Sequence, residues 1–209
     1  YPEPRMDLRV GELVTAILEP MGYRATVAIV PKKLLAVCSG LAAYGKNNIT
    51  YVSGLGSFYG LVTLFSDLPA VEDSWREPVM LERCQNCAAC QRHCPVDAIT
   101  SGRFLIHAER CITFHNEKPS NVPFPASMDP AWHNCLVGCL HCQRICPENK
   151  EVWPRVEEGA EFTQEETAWL LEGVPPEQLP DSTVEKLERS NLDRYAGLLP
   201  RNLRALLSQ

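Results

Sequence analysis

The 209-residue sequence predicts an α+β chain in three parts: a partial α/β region over residues 1–74, a cysteine-rich domain over 75–155 and a small helical segment over 156–209. Three observations predict it. Helix-like and strand-like patterns alternate up to the polar stretch that starts at Ser66, as in part of an α/β layer. Most of the ten cysteines then fall in two tight runs, 84–94 and 135–146. Beyond them come two helix-start signals and a set of apolar stripes.

In the first part, DLRVGELVTAILE (7–19) places Val10, Leu13, Val14, Ile17 and Leu18 on one helical face, and PMG ends it. TVAIVP (26–31) reads as a short buried strand closed by proline. KKLLAVCSGLAAYG reads as helix until its glycines, and Cys38 within it as a buried core thiol. NITYVSGLGSFYGLVTLFSDLP is β-rich and punctuated by glycine, and its GLVTLF fits a strand or a buried helical turn equally. SDLPAVEDSWREP (66–78) is polar and proline-bearing, a linker. In the last part, TQEE (163–166) and STVE (182–185) are capping-box patterns. Leu192, Tyr195, Leu198 and Leu199, then Leu203, Leu206 and Leu207, form stripes parted by Pro200. These helices are read as packing elements. No long-period repeat or low-complexity tract stands out.

A hydrophobic content of 45% supports a folded chain, and 17 prolines predict many turns. The net charge of −6 argues against broad polyanion binding but leaves room for a local basic patch. The sequence has no run of the ~20 apolar residues a membrane span needs and no secretory leader. No membrane partner is expected, and the cytoplasm is the expected location. Tyr rather than Met at position 1 reads as a fragment or a processed chain.

The cysteines carry the chemistry. CQNCAACQRHCP (84–95) is spaced C-x2-C-x2-C-x3-C-P, and HNCLVGCLHCQRICP (133–147) reads C-x3-C-x2-C-x3-C-P. Such spacing crowds the thiols too closely for independent, unstrained disulfides. A [4Fe–4S] cube needs four thiolates. Three from one short loop wrap a corner, and in two-cluster bacterial ferredoxins the fourth cysteine of each run, followed by proline, ligates the other cube. The proline fixes φ and turns the chain away from the sulfur. The cysteine-rich part is therefore expected to be a bacterial two-[4Fe–4S] ferredoxin-like module. Cys84, Cys87, Cys90 and Cys146 would hold one cube; Cys94, Cys139, Cys142 and one more would hold the other. Symmetry puts that last ligand at Leu136, so spacing leaves Cys135 and Cys111 both open. Zinc, the alternative for paired C-x2-C units, is disfavoured by the triple C-x2-C-x2-C and the two C-x3-C-P closures.

CPVDAI after the first run, then ERCITF, then VGCLHCQRICPENK resemble the iron–sulfur portion of epoxyqueuosine reductases, corrinoid-dependent enzymes whose plan the reductive dehalogenases share. SGLAAYGKNNITY (39–51) resembles the family's glycine-lysine-asparagine loop, GSFYGLVTLFSDLP the strand after it, and PRNLRALL an arginine-asparagine segment of the helical end. The likeness spans most of residues 34–150 and the tail. It implies Cys111 as the eighth ligand, with Cys135 a bystander. It implies a corrinoid at Gly40, Gly45, Lys46, Asn47, Gly54, Gly56 and Ser57, with a plain turn as the alternative there. It also implies an oxidoreductase fed by a flavodoxin or ferredoxin and acting on a tRNA-bound epoxide. The family has a much longer N-terminal domain, and its catalytic acid has no counterpart that can be placed here. A shorter group of double-cluster proteins, to which HNEKP (115–119) is similar, offers a second reading: an electron carrier serving a separate enzyme.

GLAAYGKN (40–47) nearly matches G-x4-G-K-[ST], but Asn47 lacks the hydroxyl that binds magnesium. GLGSFYG (54–60) misses G-x-G-x-x-G by one position. His93, His107, His115, His133 and His141 are expected as hydrogen-bond partners rather than iron ligands. Arg83, Arg92, Arg103, Arg110 and Arg144 form a basic rim that balances anionic clusters or meets RNA or phosphate.

Overall fold

The computed structural model describes residues 6–72, 74–102, 104–155 and 157–208. The chain divides into two compact units, Pro2–Cys87 and Ala88–Gln209.

In the first unit, α1 (Met6–Leu18) packs on β1 (Ala25–Val27), which pairs antiparallel with β4 (Leu64–Ser66). The contact is made through Gly11, where an added Cβ would come within 2.9 Å of Val27 Cγ2. The expected apolar face is only partly used: Leu18 is buried, whereas Leu13 and Ile17 are each 65% exposed. A two-stranded sheet is too narrow to cover the whole stripe. GLVTLF resolves as strand, since β4 occupies its end.

Next, α2 (Lys32–Cys38) buries Ala36, Val37 and Cys38 and leads into a hairpin of β2 (Ala43–Tyr44) and β3 (Thr50–Tyr51). Ala36, Val37, Ala42 and Tyr44 form this unit's core. Tyr44 also bridges in parallel to Met80, accepting from Leu81 N–H at 2.8 Å. The hairpin thereby anchors the extended segment that runs into the first cysteine turn, Glu82–Gln85.

The second unit opens with α3 (Ala89–Arg92), continues through α4 (Ile112–Asn116) and α5 (His141–Arg144), and ends in α6 (Gln164–Glu172), α7 (Asp181–Arg189) and α8 (Leu199–Leu207). Leu170, Leu179, Leu187 and Leu199 are buried together between the last three helices, and Leu136 packs against them. Full burial of one leucine contributes ~1.5–3 kcal/mol. Position 136 is thus spent on this core, which is why it carries leucine where run symmetry asks for cysteine.

Thr163 caps α6 in a complete capping box with Glu166. STVE behaves differently. Pro180 precedes the helix and α7 starts at Asp181, so Ser182 is already inside the first turn. Thr183 instead donates its hydroxyl to Glu166 Oε1 at 3.0 Å, and Lys186 Nζ donates to the same carboxylate at 2.7 and 2.8 Å. Hydrogen bonds from Lys186 and from the Thr163 backbone hold the Glu166 carboxyl at a pKa of about 2. Pro200 lies in the first turn of α8, where its missing N–H leaves no helical bond unmade. Among the described residues no helix is long and apolar enough to cross a membrane. The mixed helices and small sheets fit the expected class; no strand is assigned in the described cysteine region.

Candidate metal centre

The two cysteine runs fold alike. α3 lies between Cys87 and Cys94, and α5 between Cys139 and Cys146. Their preceding residues share one backbone conformation: Ala88 at φ −125°, ψ 19° and Leu140 at φ −110°, ψ 1°. Arg92 N–H reaches Ala88 O at 3.1 Å as Arg144 N–H reaches Leu140 O at 2.8 Å. Cys94 N–H reaches Gln91 O at 3.3 Å as Cys146 N–H reaches Gln143 O at 3.2 Å. The two short helices pack against each other. This duplication has a signature in the sequence, the shared C-Q-R-x-C-P at 90–95 and 142–147, which a search for long repeats misses because it is so short.

Within the second unit, Cys94, Cys111 and Cys135 all lie near enough to Cys139 to raise its thiol pKa. Burial is the largest cause, and together they push Cys139 up to about 12 despite a hydrogen bond from the backbone of His141. Burial likewise pushes the Cys135 thiol up, against a backbone hydrogen bond from Leu140. Ala98 N–H donates to Cys94 Sγ at 3.3 Å. Buried thiols facing one another keep their protons unless a cation replaces them, and metal binding releases those protons. Backbone N–H groups aimed at sulfur are the outer-shell contacts that tune iron–sulfur potentials. The donor set is all sulfur, which fits iron–sulfur cubes. Among the described residues no three His, Cys, Asp or Glu side chains stand close enough to hold a single ion. Thiolates around a cube stand further apart than around one ion.

Of the first run, Cys84 and Cys87 belong to the first unit, Cys90 and Cys94 to the second. Each of the eight cysteines assigned to cubes is partly buried, as is Cys135, whereas Cys38 is buried on α2.

The glycine loop has its own structural uses. Lys46 Nζ donates to Cys87 O at 2.9 Å, bracing the first cysteine loop. Asn47 is 4% exposed, and its side chain donates to Tyr51 Oη at 2.9 Å and accepts from Ile49 N–H at 3.3 Å. An added Cβ on Gly45 would stand 2.6 Å from both Asn47 Oδ1 and Tyr51 Cε2. Gly40, at φ +85°, lies against the Arg76 guanidinium. Gly45 and Asn47 therefore face inward. The second glycine turn differs: Gly54 is exposed with open space at its Cβ direction, Gly56 is buried and Ser57 partly exposed. After Asn47 the chain enters β3 rather than a helix, so no phosphate-binding helix start follows.

The histidines engage the protein. His93 Nδ1 pairs with Ala89 O at 3.1 Å, His107 Nδ1 with Glu109 Oε1 at 3.0 Å, His115 Nε2 with Glu109 O at 2.7 Å and His141 Nε2 with Trp132 O at 2.9 Å. His133 is buried against Phe124, its ring 4.4 Å away, with the Arg201 guanidinium 4.2 Å over the same phenyl. Burial and that cation push its pKa down. Arg83, Arg92, Arg110 and Arg144 are exposed, and Arg144 leans on Trp153. Arg103 lies outside the described residues.

Residues 83–149 match the family of 4Fe-4S double cluster binding domains. An epoxyqueuosine reductase of Pseudomonas aeruginosa is 33% identical over 149 residues, 70% of this chain and 40% of the relative. That of Escherichia coli is 31% identical over 144 residues, 68% of this chain and 36% of the relative. The chain thus spans well under half of these two relatives. Among solved structures, epoxyqueuosine reductase with a tRNA-Tyr epoxyqueuosine-modified tRNA stem loop aligns at TM-score 0.71 and 22% identity, over 99% of this chain and 55% of that one. The enzyme from Streptococcus thermophilus aligns at TM-score 0.70 and 18% identity, over 97% and 53%. With a double cluster domain at residues 83–149, the chain is a relative of the epoxyqueuosine reductases.

Proposed function

We propose that the chain is the electron-delivering part of an epoxyqueuosine-reductase-like oxidoreductase that passes single electrons through two [4Fe–4S] cubes. Cys84, Cys87, Cys90 and Cys146 would hold the first cube; Cys94, Cys111, Cys139 and Cys142 the second. The observation that carries the reading is the repeated cysteine turn, two copies with matching backbone bonds packed together. For Cys111 over Cys135, the support is the family likeness; both thiols stand near Cys139. Removing an epoxide oxygen as water takes two electrons and two protons, which suits a path that carries single electrons. A flavodoxin or ferredoxin would be the donor, and the tRNA substrate is inferred from the relatives.

The acceptor separates two readings. A corrinoid, when bound, supplies cobalt chemistry that the side chains cannot. The inward-facing Gly45 and Asn47 do not fit a cradle for it, which leaves the exposed turn at Gly54 and favours the second reading, an electron carrier for another protein. Titrating the reconstituted chain with hydroxocobalamin distinguishes them. A shifted cobalt spectrum supports the reductase with its own corrinoid; no shift, with both cubes intact by paramagnetic resonance, leaves the carrier. Absence of cubes contradicts both.

A further inference from the structure

We propose that the first turn of α8 is a positioning device for the second cube: Arg201 and Asn202 tie together the two segments that deliver Cys111 and Cys139. The inference rests on the two-cube reading for its purpose, but its geometry stands alone. Asn202 is 1% exposed, and its Nδ2 donates to Asn116 O and to Leu136 O, each at 2.9 Å. Its Oδ1 accepts from Arg201 Nε at 3.1 Å and Nη2 at 2.9 Å. Arg201 in turn donates to His115 O, Asn116 O, Pro119 O and Val122 O at 2.6–3.2 Å.

The bonds to His115 O and Asn116 O end on the backbone of the helix that follows Cys111, and the bond to Leu136 O ends on the segment that leads to Cys139, while the Arg201–Asn202 bonds lock the two side chains to each other. α4 begins directly after Cys111 and ends at Asn116. Asn116, fully buried, accepts Gly138 N–H on its Oδ1 at 2.6 Å. Gly138 sits at φ +84°, one residue before Cys139. A continuous polar path therefore runs from α4 through Asn116 and Asn202 to Leu136, and from Asn116 to Gly138. The apolar core of α6, α7 and α8 holds Leu136 by its side chain, whereas Asn202 holds the same residue by its carbonyl, so the polar contacts can be removed without emptying the core. A planar guanidinium fork is needed, because a lysine ammonium cannot span the same set of acceptors.

The test uses Asn202→Leu, which keeps the branching and the number of side-chain heavy atoms, with a larger volume, but removes both N–H donors. After anaerobic reconstitution of the full chain, iron and sulfide should fall by about half relative to wild type, one cube of two being lost. Adding Cys111→Ala should cause no further loss, since both changes act on one cube. In metal-free protein, the Gly138 amide should exchange at least tenfold faster, and Arg201→Lys should give an intermediate rate. Thr163→Ala, which weakens α6 without touching this path, should keep both cubes. The proposal is overturned if Asn202→Leu retains both cubes and Gly138 protection, if it loses both cubes alike, or if Thr163→Ala also strips one. A wild-type chain that never takes up two cubes overturns the cluster reading instead, and the metal-free Gly138 exchange then still decides the role of Asn202.

Discussion

Replacing Lys46 with methionine removes a cation whose Nζ lies 2.9 Å from the carbonyl of Cys87, a ligand assigned to the first cube. For an assumed separation of roughly 7 Å between ammonium and cube, one unit charge acts on another with ~2.4 kcal/mol at an effective dielectric of 20 and ~0.6 kcal/mol in water. Lys46 is partly buried, so the effect falls between these limits. With about 59 mV for each 1.4 kcal/mol in a one-electron couple, that is roughly 25–100 mV. The direction is fixed by charge. A reduced cube is more negative, so losing the ammonium disfavours reduction and lowers the midpoint potential. The assay is a redox titration followed by paramagnetic resonance, in which the first cube's signal moves down and the second barely moves. Lys46→Arg, which keeps the positive charge, should stay close to the wild-type potential. Unmoved potentials in Lys46→Met, or an equal shift in Lys46→Arg, would refute the electrostatic argument.

Other outcomes follow from the same geometry. Cys111→Ala should cost one cube, halving bound iron, whereas Cys135→Ala should leave both; equal iron in the Cys111 variant would move the assignment to Cys135. Gly45→Ala should destabilise the chain by ~1–3 kcal/mol in urea melts, the usual cost of overpacking, because its Cβ would collide with Asn47 and Tyr51. The Glu166 carboxyl, held at about 2, sits well below its ordinary value of 4.5. Its stabilising effect is therefore full above pH ~4.5 and lost as pH falls toward 2. Urea midpoints of wild type and Glu166→Gln should differ at pH 7 and converge near pH 2. A constant gap would contradict the Lys186–Glu166 pairing.

Local signals were the most legible part of the sequence. The α6 capping box reads correctly because Thr163 and Glu166 satisfy each other within one turn. STVE misleads because Pro180 already sets the helix start, which frees Thr183 to bond across to Glu166. The α1 stripe shows apolar periodicity but not which side the sheet covers, since Gly11, invisible to a hydrophobic count, makes the contact. The cysteine turns are legible because they are local: close cysteine spacing and a following proline form a short pattern that two-cluster ferredoxins use to wrap a cube. The supporting polar path was not. Asn116, Asn202 and Arg201 meet only through folding that joins positions far apart in the chain, and no spacing rule encodes that. The glycine loop shows the converse, a sequence resembling a ligand cradle whose Gly45 and Asn47 serve their own hairpin.

Two iron–sulfur cubes sharing one pair of cysteine runs are the centre of the proposed function. Mössbauer spectroscopy of anaerobically purified, iron-57-labelled protein, with iron, sulfide and zinc assayed on the same sample, tests this most directly. The expected result is about eight iron and eight sulfide per chain, with spectra of two [4Fe–4S] clusters. Colourless protein carrying two zinc ions and no sulfide would contradict it.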